Sequence, residues 1–168
     1  RTQGLFGQTD GTVANHLGAV LSTEEGAVEH LTCMVKGYVA TTDDGLAVGR
    51  TENGERCWSS KGAPVSAQTE AMVHDGASLL WLARDDGIAS TVNVWATNKG
   101  GKLASGSFAK VHAMHGTSER MVLGCEDGSV VVWDREMFHR RLNASGPSQE
   151  ADERTSALQA KLRALRRS

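Results

Sequence analysis

The chain has 168 residues, the size of one ordinary domain, and its formal net charge of −2 exerts no general pull toward nucleic acid or an anionic membrane. Its three cysteines, Cys33, Cys57 and Cys125, lie far apart with no C-x-x-C spacing, which argues against a disulfide framework and for a reducing cytoplasmic or nuclear setting. No apolar run approaches the roughly 20 residues that a membrane span needs, and no signal or transit segment is visible.

In chain order, residues 4–17 read as the end of an earlier unit: GLFGQT, the turn Asp10-Gly11, then TVANHL. A polar passage over 22–29 crosses to the next. Strand signals follow at 38–42 and 46–50, separated by Asp44-Gly45, and the turn Asn53-Gly54 leads into 55–58. Residues 61–68, with Pro64, are expected as an outer strand or loop. The pattern returns as 71–74, Asp75-Gly76, 79–83, Asp86-Gly87 and 92–95. Residues 98–101 (NKGG) turn into an expected outer strand at 102–108. The last set is 111–115, a turn at 116–119, then 121–124, Asp127-Gly128 and 130–134.

The stretch 121–135, MVLGCEDGSVVVWDR, carries the strongest hairpin signal, because both residues of an Asp-Gly turn accept positive φ. Its second run, VVVW, does not alternate, so both faces of that strand are expected to be covered by protein.

Three of the four tryptophans keep a beat. Trp58 to Trp95 is 37 residues and Trp95 to Trp133 is 38, each closing a strand that follows a turn. This spacing falls a little short of the roughly 40–45 residues of a four-stranded WD40 blade. With VVVWD at 130–134 as its clearest match, the chain resembles the WD40-repeat family over residues 4–141, in a degenerate form. Trp58 is followed by Ser59 and Trp95 by Ala96, and no Gly-His dipeptide opens a repeat. The resemblance implies an all-β fold: a WD40-like β-propeller fragment of about three and a half four-stranded blades. A β-sandwich with accidentally spaced tryptophans is the competing fold. A closed propeller needs at least four blades, so the remaining ones are expected from elsewhere in a parent chain or from a partner. A short likeness of 121–134 to propeller subunits of ciliary complexes adds the cilium to the expected locations.

Residues 1–142 are thus expected as the partial propeller and 143–168 as a linker and amphipathic helix. Ser148 is the N-cap candidate, acids gather early and cations late, and Leu158, Leu162 and Leu165 recur at i, i+4 and i+7. This helix suits docking on the propeller, fraying in solvent, pairing with a partner, or contacting RNA or phospholipid through its basic end.

Little in the sequence suggests chemistry. His112-x-x-His115 on a strand points to opposite faces, and Asp43-Asp44 and Asp85-Asp86 stand directly before turn glycines. No catalytic residue, cofactor or metal site is assigned. The expected function is a non-catalytic scaffold, cytoplasmic with nuclear or ciliary alternatives, that joins other protein subunits of a larger assembly or the rest of its own propeller. The residues expected to meet partners are Asp43, Asp44, Asp75, Ser78, Glu119 and Arg120 in turns, with Leu158, Leu162, Leu165, Arg163 and Arg166 on the helix. Nucleic acid, met by Arg140, Arg141 and the basic helix end, is the rival partner.

Overall fold

The computed structural model describes residues 4–97 and 100–144. A first antiparallel sheet is made of β1 (Leu5–Gly7), β2 (Thr12–Asn15) and β3 (Val20–Thr23). The second holds β4 (Val28–Met34), β5 (Gly37–Thr42), β6 (Leu46–Arg50) and β7 (Arg56–Lys61). The third holds β8 (Val65–His74), β9 (Ala77–Asp85), β10 (Ser90–Ala96) and β11 (Gly101–Phe108). The fourth holds β12 (Val111–Gly116), β13 (Arg120–Cys125) and β14 (Val130–Asp134), and α1 (Arg135–Ala144) follows. Every sheet is an up-and-down meander, because each pair of neighbouring strands is joined by a short turn.

The sheets stack face to face, and β9 shows why. Leu79, Trp81 and Ala83 point to one side and pack with Met121 and Leu123 of the fourth sheet. Leu80 and Leu82 point to the other and pack with Val39 and Ala47 of the second. A strand covered on both faces reads as an unbroken apolar run, and SLLWLA is such a run. Tyr38 and Ala40 of β5 then meet Val13 of the first sheet. Strands β4, β8 and β12 run beside one another along the inner side of the stack.

The marker that recurs in phase is the turn between second and third strands. Asp44-Gly45, Asp86-Gly87 and Asp127-Gly128 join β5 to β6, β9 to β10 and β13 to β14, and Asp10-Gly11 joins β1 to β2. In each, the aspartate Oδ1 accepts a backbone N–H two residues on (Thr12, Leu46, Ile88, Ser129), while the glycine takes positive φ, between 79° and 95°. Just before the innermost strands, the carbonyls of Ala27, Pro64 and Lys110 accept the N–H of Asp43, Asp85 and Glu126. By this phase β1–β3 correspond to the second, third and fourth strands of the second sheet. Among the described residues, the first sheet therefore lacks an innermost strand and the fourth an outermost one.

This phase corrects the tryptophan beat. Trp95 and Trp133 stand on third strands, β10 and β14, but Trp58 stands on β7, the fourth strand of its sheet. The even spacing arose because Asn53-Gly54, the turn between third and fourth strands, resembles an Asp-Gly turn between second and third. Residues 65–68 are likewise not outer but belong to β8, the innermost strand of the third sheet. β11 is the outer strand expected at 102–108.

Three elements were not anticipated, the first being β3, whose Ser22 and Thr23 fall in the passage expected to cross at 22–29. β4 interleaves polar residues among Val28, Leu31 and Met34, so its strand character is weak in sequence. α1 begins directly after β14, where Asp134 Oδ1 caps it by accepting the Glu136 N–H at 2.9 Å. The aspartate of the Trp-Asp pair is thus a helix cap. Phe138 fills the space between Trp81 and Trp133, with ring centroids 5.0 and 6.2 Å away, and anchors the helix.

The expectation that both faces of the VVVW strand are covered does not hold. Val130 and Val132 are 67% and 51% exposed, because no sheet lies against that side of β14 among the described residues. Phe6 and Val20 are 58% and 62% exposed on the far side of the first sheet. Among the described residues, nothing lies against the outer face of either end sheet.

Candidate functional site

Up-and-down strands put the turns on two rims. The first carries the Asp-Gly turns between second and third strands and the links between sheets. The second carries the turns at 34–37, 51–55, 74–77 and 116–120, residues 97 and 100, and the start of α1.

On the first rim, the aspartates of the turns between second and third strands are occupied by the fold. Asp44 accepts the Leu46 N–H and the Thr42 hydroxyl, and its second oxygen binds Lys61 Nζ. Those contacts, Lys61 foremost, pull its pKa down to about 2. Asp10, Asp86 and Asp127 are lowered by the same kind of turn hydrogen bonds. Gly45 is pressed against the link to the third sheet, where an added Cβ would lie 2.2 Å from the Gly62 carbonyl oxygen. Arg84, buried, donates to the carbonyls of Gly45, Ala63 and Ser60 and ties the third sheet to the second, and burial lowers its pKa.

Between the first and second sheets lies a buried ion pair. Arg50 Nε and Nη2 reach the two Glu24 oxygens at 2.6 and 2.9 Å, and Nη1 donates to the Gly54 carbonyl at 2.7 Å. Ser22 donates to Glu24, and the Tyr38 hydroxyl donates to Ser22. The Glu24 bonds raise the Arg50 pKa. Bidentate geometry with every nearby group paired is the arrangement in which a buried charge is tolerated.

This network backs a cleft of about 450 Å³ that opens on the second rim between the second and third sheets. Met34, Val35 and Lys36 form one lip and Gly76, Ala77 and Ser78 the other, with Tyr38, Arg50, Thr51, Cys57, Trp58 and Thr97 along the walls. Its outer wall is stiffened where Trp58 stacks on Trp95, ring centroids 5.6 Å apart and planes 3° from parallel. Val35 stands 74% exposed at the mouth. The neighbouring turn, Asp75-Gly76, has φ of 50° and 72°, both left-handed as a tight hairpin requires.

The residues expected to meet partners do not form one surface. Asp43 and Asp44 lie on the first rim. Asp75, Glu119 and Arg120 lie on the second, together with Ser78. Ser78 is only 7% exposed within β9 and gives its carbonyl to the Thr97 hydroxyl. Glu119 pairs with Arg135 at 2.9 Å and accepts that residue's N–H, so it holds the root of α1. Leu158, Leu162, Leu165, Arg163 and Arg166 lie outside the described residues. The cleft itself went unread in the sequence. Its lips come from 34–36 and 76–78, distant in sequence and joined only by the stacking of sheets.

Among the described residues no three His, Cys, Asp or Glu side chains converge to hold a metal ion, and no helix is long and apolar enough to cross a membrane.

The architecture is that of a β-propeller fragment. Solved structures share it: BBS1N in complex with ARL6DN (TM-score 0.63, 15% identity, 78% of this chain and 45% of that one). The computationally designed Ika4 protein is similar over 80% of this chain and 86% of its own (TM-score 0.63, 23% identity). The WD40 beta propeller domain of Doa1 is similar over 77% of this chain and 46% of its own (TM-score 0.58, 18% identity). The chain therefore spans less than half of the BBS1N and Doa1 chains. At these identities the likeness is one of fold. No protein-family model matches the sequence. No curated protein matches it either.

Proposed function

We propose that the chain is a non-catalytic scaffold of WD40-like type that binds a protein partner on its second rim, at the cleft between the second and third sheets. The observation that carries this reading is the cleft's construction. An apolar mouth with an exposed valine is held by a stacked tryptophan pair and a buried ion-pair network. Its chemistry suits a peptide that presents a bulky apolar side chain, with Lys36 at the lip to meet an acidic neighbour. BBS1N, a propeller solved in complex with ARL6DN, is a precedent for protein recognition on this fold. The aspartates of the turns between second and third strands, and Glu24, are engaged in turn caps and a sheet junction, which is consistent with a passive role.

The rival reading, RNA contact through basic residues, finds less support on α1. Arg140 pairs with Glu136 at 3.6 Å, and Arg141 lies over the Trp133 ring at 4.9 Å. The rest of that reading concerns 149–167, outside the described residues.

The test is affinity recovery of the tagged chain from cells, comparing Val35→Asp on the second rim with Ile88→Asp on the first. Both positions are exposed, so both variants fold. Val35→Asp is expected to reduce the recovered partner roughly tenfold or more, as burying an unpaired carboxylate in an apolar cleft does. Ile88→Asp is expected to leave it unchanged. Equal recovery with both variants overturns the site. Recovery that collapses with salt and nuclease, with Val35→Asp silent, assigns the chain to nucleic acid instead.

A further inference from the structure

The junctions between consecutive sheets are filled to different degrees, and the phase of the strands shows where. Asp43 and Asp85 donate their N–H to equivalent links, at Ala27 and Pro64. Four residues before each aspartate stand Val39 in β5 and Trp81 in β9. The ladders agree, because Val39 pairs with Thr32, five residues after Ala27, and Trp81 with Thr69, five after Pro64. Both side chains face the following sheet. On the next ladder Trp81 stands beside Val94, whereas Val39 stands beside Gly49. The junction of the third and fourth sheets is thus filled by the Trp81 indole, with Trp133 at 6.4 Å and Phe138 at 5.0 Å. The junction of the second and third has valine and glycine at the corresponding places. Trp58 takes part of that room by lying over Gly49, where an added Cβ would fall 2.2 Å from the Trp58 Nε1. What remains is the cleft of about 450 Å³, a size within the roughly 300–1,000 Å³ of pockets that hold ligands.

We infer that the cleft takes an aromatic side chain, carried by a partner segment with an acid beside it, in the place that Trp81 and Phe138 fill one junction on. The inference deepens the partner reading above and rests on it. A ring suits the walls better than a branched aliphatic group does. Trp58 offers an indole and Met34 a thioether, and both ring–ring and sulfur–ring contacts add attraction beyond the area they bury. Charge sets what flanks the ring. Among the described residues no aspartate or glutamate lines the cleft, whose charged linings are Lys36 and Arg50. Arg50 is bound to both oxygens of Glu24, so Lys36, exposed at the lip, is the charge that faces a partner. A carboxylate next to the ring meets it, whereas a basic segment would set like charges together.

Amide NMR titrations of the 168-residue chain with N-acetyltryptophan, its amide and N-acetylleucine test this, read at Gly49, Gly76 and Ala77. N-acetyltryptophan is expected to shift these signals and to bind roughly tenfold more tightly than N-acetylleucine, the worth of ring contacts beyond area. It should also bind roughly two- to fivefold more tightly than its amide, and Lys36→Gln should erase that margin. Val39→Trp gives the second sheet the residue that the third has at this place. It should fill the cleft and abolish the shifts while the amide spectrum stays dispersed. The ligand comparisons use the original chain, so they decide the matter whether or not that variant folds. Equal affinity for the tryptophan and leucine compounds, or no response of the cleft to N-acetyltryptophan, overturns the aromatic occupant. Equal affinity for the acid and the amide overturns the acidic flank. Loss of partner with Val35→Asp but no response to N-acetyltryptophan would keep the site and remove the ring, whereas a silent Val35→Asp removes the partner reading itself.

Discussion

Glu24→Ala is expected to destabilise the chain by about 3–5 kcal/mol, the cost of leaving one member of a buried ion pair without its partner. Glu24 is 3% exposed at its side chain and Arg50 14%, so little solvent is at hand to take over the charge. The carboxylate also accepts from Ser22, which in turn accepts from Tyr38, so the loss propagates through one junction between sheets. Urea unfolding should show a fall in midpoint with little change in slope. Adding Arg50→Met should recover much of the loss, since an apolar side chain removes the stranded guanidinium. A single variant that unfolds like the original chain would mean that the pair lies in water.

Trp81→Ala is the second large effect, expected at about 3–5 kcal/mol. The indole is buried between the third and fourth sheets and touches Phe138 and Trp133, so truncation opens a cavity where α1 docks. Helical signal in circular dichroism should melt below the main transition in this variant. Ile88→Ala, at 92% exposure, should stay within about 0.5 kcal/mol of the original. Equal melting of the two would contradict the packing of Trp81.

Much of the fold was legible because its local chemistry is strong. Asp-Gly pairs announce tight turns whatever surrounds them, and the apolar run at 79–83 announces a strand. What was misread turned on phase. Asn53-Gly54 and Asp86-Gly87 look alike as dipeptides, yet one joins third to fourth strands and the other second to third. Only the ladder partners tell them apart, which is why Trp58 was set one strand too far in. VVVW looked doubly covered for a related reason. Composition records that a face is apolar, not whether anything lies on it.

The site was less legible than the fold. Asp43, Asp44 and Asp75 stood out as charged turn residues, but Asp44 is taken up by Thr42, Leu46 and Lys61. The cleft draws on Met34, Val35 and Trp58, which carry no local signal of binding. They gain one only when β4, β7 and β9 are stacked.

The account rests on the second sheet lying face to face against the third, with Trp58 on an outermost strand. Nuclear Overhauser contacts of the Trp58 indole protons test this most directly. With ring centroids 5.6 Å apart, cross-peaks to the Trp95 indole are expected, with further cross-peaks to Gly100, whose turn leans on the Trp58 ring. Cross-peaks from Trp58 to Trp133 in place of Trp95 would contradict the stacking order and everything built on it.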